Sequence, residues 1–168
     1  FAGNNLIQIE IGSLKYKTVM EGWLNHLYIS AYFHLNSKSL IISRKKSQTI
    51  KDNFEITYQF SAINQIDATK SLINLEKMAN KGQKYCWPIP SESGLALALN
   101  NKRMKSPHEA FRKKWEGDSY TEGERENLAM QICFGRNCNS SVFLTNESFK
   151  IAMMDLYEPL LKILKKYN

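Results

Sequence analysis

The chain has 168 residues, 43% of them hydrophobic and 23% charged, which excludes collagenous and disordered classes and suffices for one domain with a formed core. Its longest apolar runs, at 40–42 and 95–99, fall far short of the ~20 residues that a membrane-spanning helix needs. A net charge of +7 favours an acidic partner, the more so because the basic residues cluster: Arg44, Lys45 and Lys46 stand in a row, and Lys102, Arg103, Lys105, Arg112, Lys113 and Lys114 crowd together.

Along the chain, Ile7, Ile9 and Ile11 alternate with Gln8, Glu10 and Gly12, the period-two pattern of a half-buried strand. Thr18 and Glu21 read as a T-x-x-E capping box before a helix whose apolar face carries Val19, Trp23, Leu24, Leu27 and Ala31. Residues 39–43 predict a short interior strand, and the basic run at 44–46 leaves its end. In the next strand Phe54, Ile56, Tyr58, Phe60 and Ala62 alternate with Glu55, Thr57, Gln59 and Ser61. Asp67 is the expected N-cap of a helix bearing Leu72, Leu75, Met78 and Ala79, and Gly82 is its expected left-handed stop.

Pro88 and Pro90 then interrupt the chain, and Ser91 or Ser93 caps a short helix running to Leu99. Ser106-Pro107-His108-Glu109 combines an N-cap, an N1 proline and an N3 glutamate ahead of Ala110, Phe111 and Trp115. Residues 116–126 read as an acidic, glycine-rich loop, and 130–138 fit a short strand or a frayed helix equally. Phe149, Met153, Leu156, Leu160, Ile163, Leu164 and Tyr167 mark a long amphipathic helix that Pro159 should kink. The expected organisation is α+β: a core over about 1–85 with a small central sheet flanked by helices, and a helical extension over about 86–168. The start at Phe1 suggests an internal piece of a longer polypeptide.

Cys86, Cys133 and Cys138 are too few for a disulfide framework and suit a reducing cytoplasm as buried free thiols. Their spacing, with His26, His34 and His108 far off in sequence, gives no zinc set, and no metal or other cofactor is expected. There is no Gly-Lys pair, hence no phosphate loop, and neither a G-x-S-x-G elbow nor an H-E-x-x-H helix. The order strand, helix, strand, strand, helix resembles the core of the restriction-type PD-(D/E)XK nucleases. Those enzymes hold magnesium with an Asp on one strand and a D/E-x-K on the next, the lysine assisting the attacking water. Here no Asp or Glu has a lysine two positions on, and the relevant strand reads Glu55-Ile56-Thr57.

Three segments carry a further resemblance: LKYKTVMEGWLNHL (14–27), LINLEKMANKGQKYCWPIPSESG (72–94) and SPHEAFRKKWEGDSYTEGE (106–124). They are similar, in order, to successive parts of the RecC carboxy-terminal domain family, and Pro159-Leu160 matches its closing aliphatic-Pro-Leu element. The resemblance implies a restriction-endonuclease-like fold that has lost catalysis. It implies partners as well, the RecB and RecD subunits of the exodeoxyribonuclease V complex and a double-stranded DNA end or fork, where a protruding element of the family separates the strands.

The candidate DNA-binding residues are Arg44, Lys45, Lys46 and Lys51 about a hairpin tip and Lys102, Arg103, Lys105 and Arg112 near a helix N-terminus, where dipole and free amides attract phosphate. Tyr85 and Trp87, beside Lys84, suit either base stacking or core packing against Pro88. No catalytic residue is expected. Two other readings compete: a metal-dependent nuclease with a migrated lysine, using Asp52, Glu55 and Lys70, and a protein-docking module that never touches DNA.

Overall fold

The first five elements follow in the expected order: β1 (Leu6–Glu10), α1 (Tyr16–Tyr32), β2 (Ser39–Arg44), β3 (Phe54–Phe60) and α2 (Gln65–Gly82). The computed structural model describes residues 5–11, 14–33, 37–44, 54–85, 89–100 and 107–167. Beyond α2 come α3 (Ser91–Asn100), α4 (Pro107–Glu116), a tight hairpin of β4 (Gly117–Asp118) and β5 (Thr121–Glu122), a 3-10 turn at Glu124–Glu126, α5 (Leu128–Phe134), α6 (Ser140–Leu144), α7 (Glu147–Ile163) and β6 (Leu164–Lys166). The architecture is mixed α+β with one small mixed sheet. No helix among the described residues is long and apolar enough to cross a membrane.

Two compact units divide the chain, one of Phe1–Ala79 with Pro159–Asn168 and one of Asn80–Glu158. In the first, the sheet order is β1-β2-β3-β6: β1 runs parallel to β2, whereas β3 is antiparallel to both β2 and β6. The parallel pair is joined through α1, as a parallel connection requires a crossover rather than a tight turn. α1 buries Val19, Gly22, Trp23, His26, Leu27 and Ser30, whereas the expected face residue Leu24 is largely exposed. Gly22 sits where the helix meets the sheet, and a Cβ there would lie 2.9 Å from Ile41 Cδ1.

Two strands depart from the amphipathic pattern. In β1 the polar residues are on the helix side: Glu10 Oε2 accepts a 2.8 Å hydrogen bond from the Thr18 hydroxyl, while Ile9 is 62% and Ile11 78% exposed. The partly covered face is therefore the apolar one, because a parallel register of Glu10 with Ser43 and Gln8 with Ile41 places Gln8 and Glu10 beside the α1-facing residues of β2. In β3 a bulge between Ile41 and Ile42 makes Ile41 pair with Tyr58 and Ile42 with Ile56. Neighbours Ile41 and Ile42 point to opposite faces, so the bulge turns Tyr58 and Phe60 into the core and leaves Phe54 and Ile56 largely exposed.

Local signals shifted too. Thr18 does not cap α1, which starts after Lys15, and Glu21 pairs with Lys17 at 3.6 Å. α2 is capped by Asn64, whose Oδ1 accepts from the Asp67 amide at 2.9 Å while its amide nitrogen donates to the Asp67 carboxylate at 2.7 Å. Gly82 ends α2 without a left-handed backbone; the positive-φ glycines are Gly117 and Gly135. The last helix stops at Ile163, and Leu164–Lys166 add an edge strand to β3 instead of continuing it.

In the second unit Phe111, Trp115, Phe134, Phe143 and Phe149 pack ring on ring, with centroids 4.8 Å apart for Trp115–Phe143 and 5.5 Å for Phe111–Phe149. The Trp115 indole N–H donates to the Cys138 carbonyl at 2.8 Å, so the ring brings its polar atom into the core satisfied. The segment expected as a loop at 116–126 is the β4–β5 hairpin, closed by Gly117 at φ 78°. Asp118 accepts from the amides of Tyr120 and Thr121 and from the Thr121 hydroxyl, and Lys113 lies 3.2 Å away. The Tyr120 amide first, then Thr121 and Lys113, hold its carboxyl down at about 2. The ambiguous stretch at 130–138 includes α5, none of whose residues is buried. Cys133 is therefore exposed and Cys138 half-buried, not the buried thiols expected; Cys86 lies outside the described residues.

Candidate nucleic-acid interface

Of the ten basic and aromatic candidates, Lys45, Lys46, Lys51, Trp87, Lys102, Arg103 and Lys105 lie outside the described residues. Arg44, Tyr85 and Arg112 are described, and all three are exposed. Arg44 ends β2 opposite Phe54, at the corner of the sheet from which the 45–53 connection departs. Tyr85 follows α2, in a turn where its amide and that of Lys84 both bond the Lys81 carbonyl at 3.0 Å. At 73% exposure its ring is not in the core, which removes the packing reading for this residue and leaves a ring available for stacking.

Arg112 is the best-framed of the three. It stands one turn beyond His108 on α4, and both line an open groove of about 340 Å³ with Glu109, Ser140, Ser141 and Leu144. The neighbouring lysines are committed elsewhere, Lys113 to Asp118 at 3.2 Å and Lys114 to Glu92 at 4.0 Å. The groove thus offers a guanidinium, an imidazole and the exposed hydroxyl of Ser141, a donor set suited to a phosphate diester, with Glu109 as its one anionic neighbour. Ser140 is spoken for, since its hydroxyl donates to Glu116 Oε1 at 2.6 Å.

A second polar group lies inside the first unit, where a nuclease of the resembled type would carry its acidic site. Strand register aligns Glu10, Ser43 and Glu55 across β1, β2 and β3. The Ser43 and Thr57 hydroxyls bond each other at 2.6 Å, and Thr18 donates to Glu10. This row is two carboxylates separated by hydroxyls; among the described residues no three of His, Cys, Asp and Glu gather in a way that would hold a metal ion. Lys70 is on the exposed surface of α2, and Asp52 lies outside the described residues.

His26, which sequence reasoning did not single out, is the buried ionisable group of the sheet–helix contact. Its Nδ1 is 2.7 Å from the Ser39 hydroxyl, its Nε2 3.1 Å from the Ser61 carbonyl, and its ring stacks on Phe60. A carbonyl can only accept, so Nε2 carries the hydrogen and Nδ1 accepts from Ser39. Burial pushes its pKa down, opposed by the hydrogen bond to Ser61. Glu124, equally unforeseen, caps α3 from thirty residues away: Oε1 accepts from the Glu92 amide and Ser91 hydroxyl at 3.0 Å, Oε2 from the Ser93 amide and hydroxyl at 2.7 Å. Nothing local in the sequence signals that contact.

The chain matches the family described as the RecC C-terminal domain over residues 2–102, and it belongs to that family. The family is part of the exodeoxyribonuclease V complex, a setting of DNA repair and recombination. The match takes in β1 through α3 and stops short of α4, so the Arg112 groove lies outside it. No curated protein matches the chain.

Proposed function

We propose that the chain acts without catalysis of its own, as a scaffold that docks RecB and RecD within exodeoxyribonuclease V and engages the double-stranded DNA end or fork during break repair in the cytoplasm. The family match over residues 2–102 carries this reading. Its sheet is read as a restriction-nuclease skeleton, supported by the order β1, α1, β2, β3, α2, in which the carboxylates Glu10 and Glu55 flank serine and threonine hydroxyls instead of a lysine amine. Two acids without a neighbouring amine lack the group that would assist an attacking water. Lys45, Lys46, Lys51, Lys102, Arg103 and Lys105 supply sequence-independent phosphate contacts together with Arg44 and Arg112, and Tyr85 and Trp87 supply stacking.

The test is a mobility shift of forked DNA by the purified chain. Binding should be visible at about 50 mM salt and largely lost by about 200 mM, and Arg112→Ala should lower the slope of log affinity against log salt by about one. Unchanged mobility at low salt would favour the protein-docking module that never touches DNA. Magnesium-dependent degradation of linear DNA, abolished by Glu55→Ala, would replace the scaffold with a nuclease built on Asp52, Glu55 and Lys70.

A further inference from the structure

The two edges of the four-stranded sheet are built differently. β6 is three residues long and carries Lys165 and Lys166, features that discourage another strand from pairing there. β1, the opposite edge, reads Leu-Ile-Gln-Ile-Glu with no lysine, proline or bulge. No strand among the described residues pairs with its outer side.

The Leu6 amide donates to the Lys38 carbonyl at 3.1 Å, inward toward β2. Backbone direction alternates along a parallel ladder, so Gln8 and Glu10 also bond inward, while the N–H and C=O groups of Ile7 and Ile9 point away from the sheet. The side chains beside that edge are apolar: Ile9 is 62% and Ile11 78% exposed, and Ile9 is in register with Ile42 and through it with the exposed Ile56.

We propose that the outer edge of β1 is a strand-docking site, taking an extended segment of a partner polypeptide whose backbone pairs with Ile7 and Ile9 and whose apolar side chains continue the row Ile9–Ile42–Ile56. The chemistry of the edge selects the occupant. Alternating donors and acceptors at strand spacing are met by another backbone, and an edge bearing isoleucines and the Glu10 carboxylate repels a polyanion, which excludes nucleic acid here. The inference rests on the scaffold reading, which places the chain among different subunits and so favours a partner chain over a second copy.

The experiment is hydrogen exchange on the chain alone and after co-expression with the other subunits of the complex, together with the variants Ile9→Pro and Ile9→Thr. On assembly the Ile7 and Ile9 amides should slow at least about tenfold, as amides entering a ladder do. Ile9→Pro removes an outward donor that no bond within the sheet uses, a substitution edge strands tolerate. It should cut co-purification with the other subunits about tenfold or more with the circular dichroism of the chain unchanged, and Ile9→Thr, which keeps the donor, should cut it less. Ile7 and Ile9 exchanging equally fast in both states would overturn the strand-docking site while leaving the scaffold standing. A wild-type chain that does not join the complex would sink the scaffold reading and this inference with it. Protection of the same amides in the isolated chain, with dimerisation, would give the edge to a second copy and overturn the partner strand.

Discussion

The two units of the chain solve the problem of a core in opposite ways. The unit of Asn80–Glu158 closes on itself, with five aromatic rings in mutual contact, the Trp115 indole satisfied by the Cys138 carbonyl, and the first turn of α3 sealed by Glu124. The sheet-bearing unit stays open. It turns Gln8 and Glu10 inward and Ile9, Ile56 and Phe54 outward, and the buried Trp23 indole N–H, Gln8 Oε1 and the Ser30 and Ser37 hydroxyls have no partner among the described residues. Buried unpartnered polar atoms cost stability, and exposed isoleucines contribute little to it. Such a unit gives up part of its own stability and keeps an apolar surface for something else to cover, whereas the aromatic unit behaves as an independent fold.

If that contrast is right, the largest loss comes from the closed unit. Trp115→Ala should cost about 3–5 kcal/mol, since it opens a cavity against Phe143 and Phe134 and strands the Cys138 carbonyl; urea unfolding would measure it. Glu124→Ala comes next, at about 1–3 kcal/mol, because the fully buried Ser93 loses the acceptor for its amide and hydroxyl together. In the open unit the largest expected effect is a pH dependence centred on His26. Its folded pKa is lowered, so below the unfolded value of about 6.5 the unfolded chain takes up a proton that the folded chain refuses. Stability is therefore complete above that value and falls as pH drops toward the folded pKa, by at most about 1.4 kcal/mol per pH unit. Thermal melts of His26→Gln should lack this component. Smallest of all, Ile9→Thr should shift stability by no more than about 0.5 kcal/mol, given how exposed Ile9 is. A cost for Ile9→Thr approaching that of Trp115→Ala would erase the distinction between the units.

Much of this was legible beforehand. The succession β1, α1, β2, β3, α2 follows from hydrophobic period alone, and the proline-led start of α4 from its local residues, because period and capping chemistry act within a few neighbours. The candidate site was less so. Arg112 was chosen for its charge, but its groove exists because α6 brings Ser141 and Leu144 beside α4, some thirty residues away in sequence. Tyr85 seemed equally suited to the core and to the surface, and only the turn after α2 decided for the surface. Glu124 and His26 gave no local sign of their roles, since their partners are Ser93 and Ser61, each about thirty residues distant.

By itself the sequence determined which segments are helix and strand, the family, and the absence of a carboxylate followed two places on by lysine, all properties of residue order. Tertiary structure alone decided which face each strand buries. A strand's two faces differ only by one residue of register, so the parallel pairing of β1 with β2 and the bulge opposite Ile41 and Ile42 reversed the amphipathic reading of Ile9 and split that of β3 between Ile56 and Tyr58. The same long-range pairing turned Leu164–Lys166 from helix into a lysine-bearing edge and left β1 as the unguarded one, because only a neighbouring strand can satisfy an edge, and neighbours in a sheet need not be neighbours in the chain.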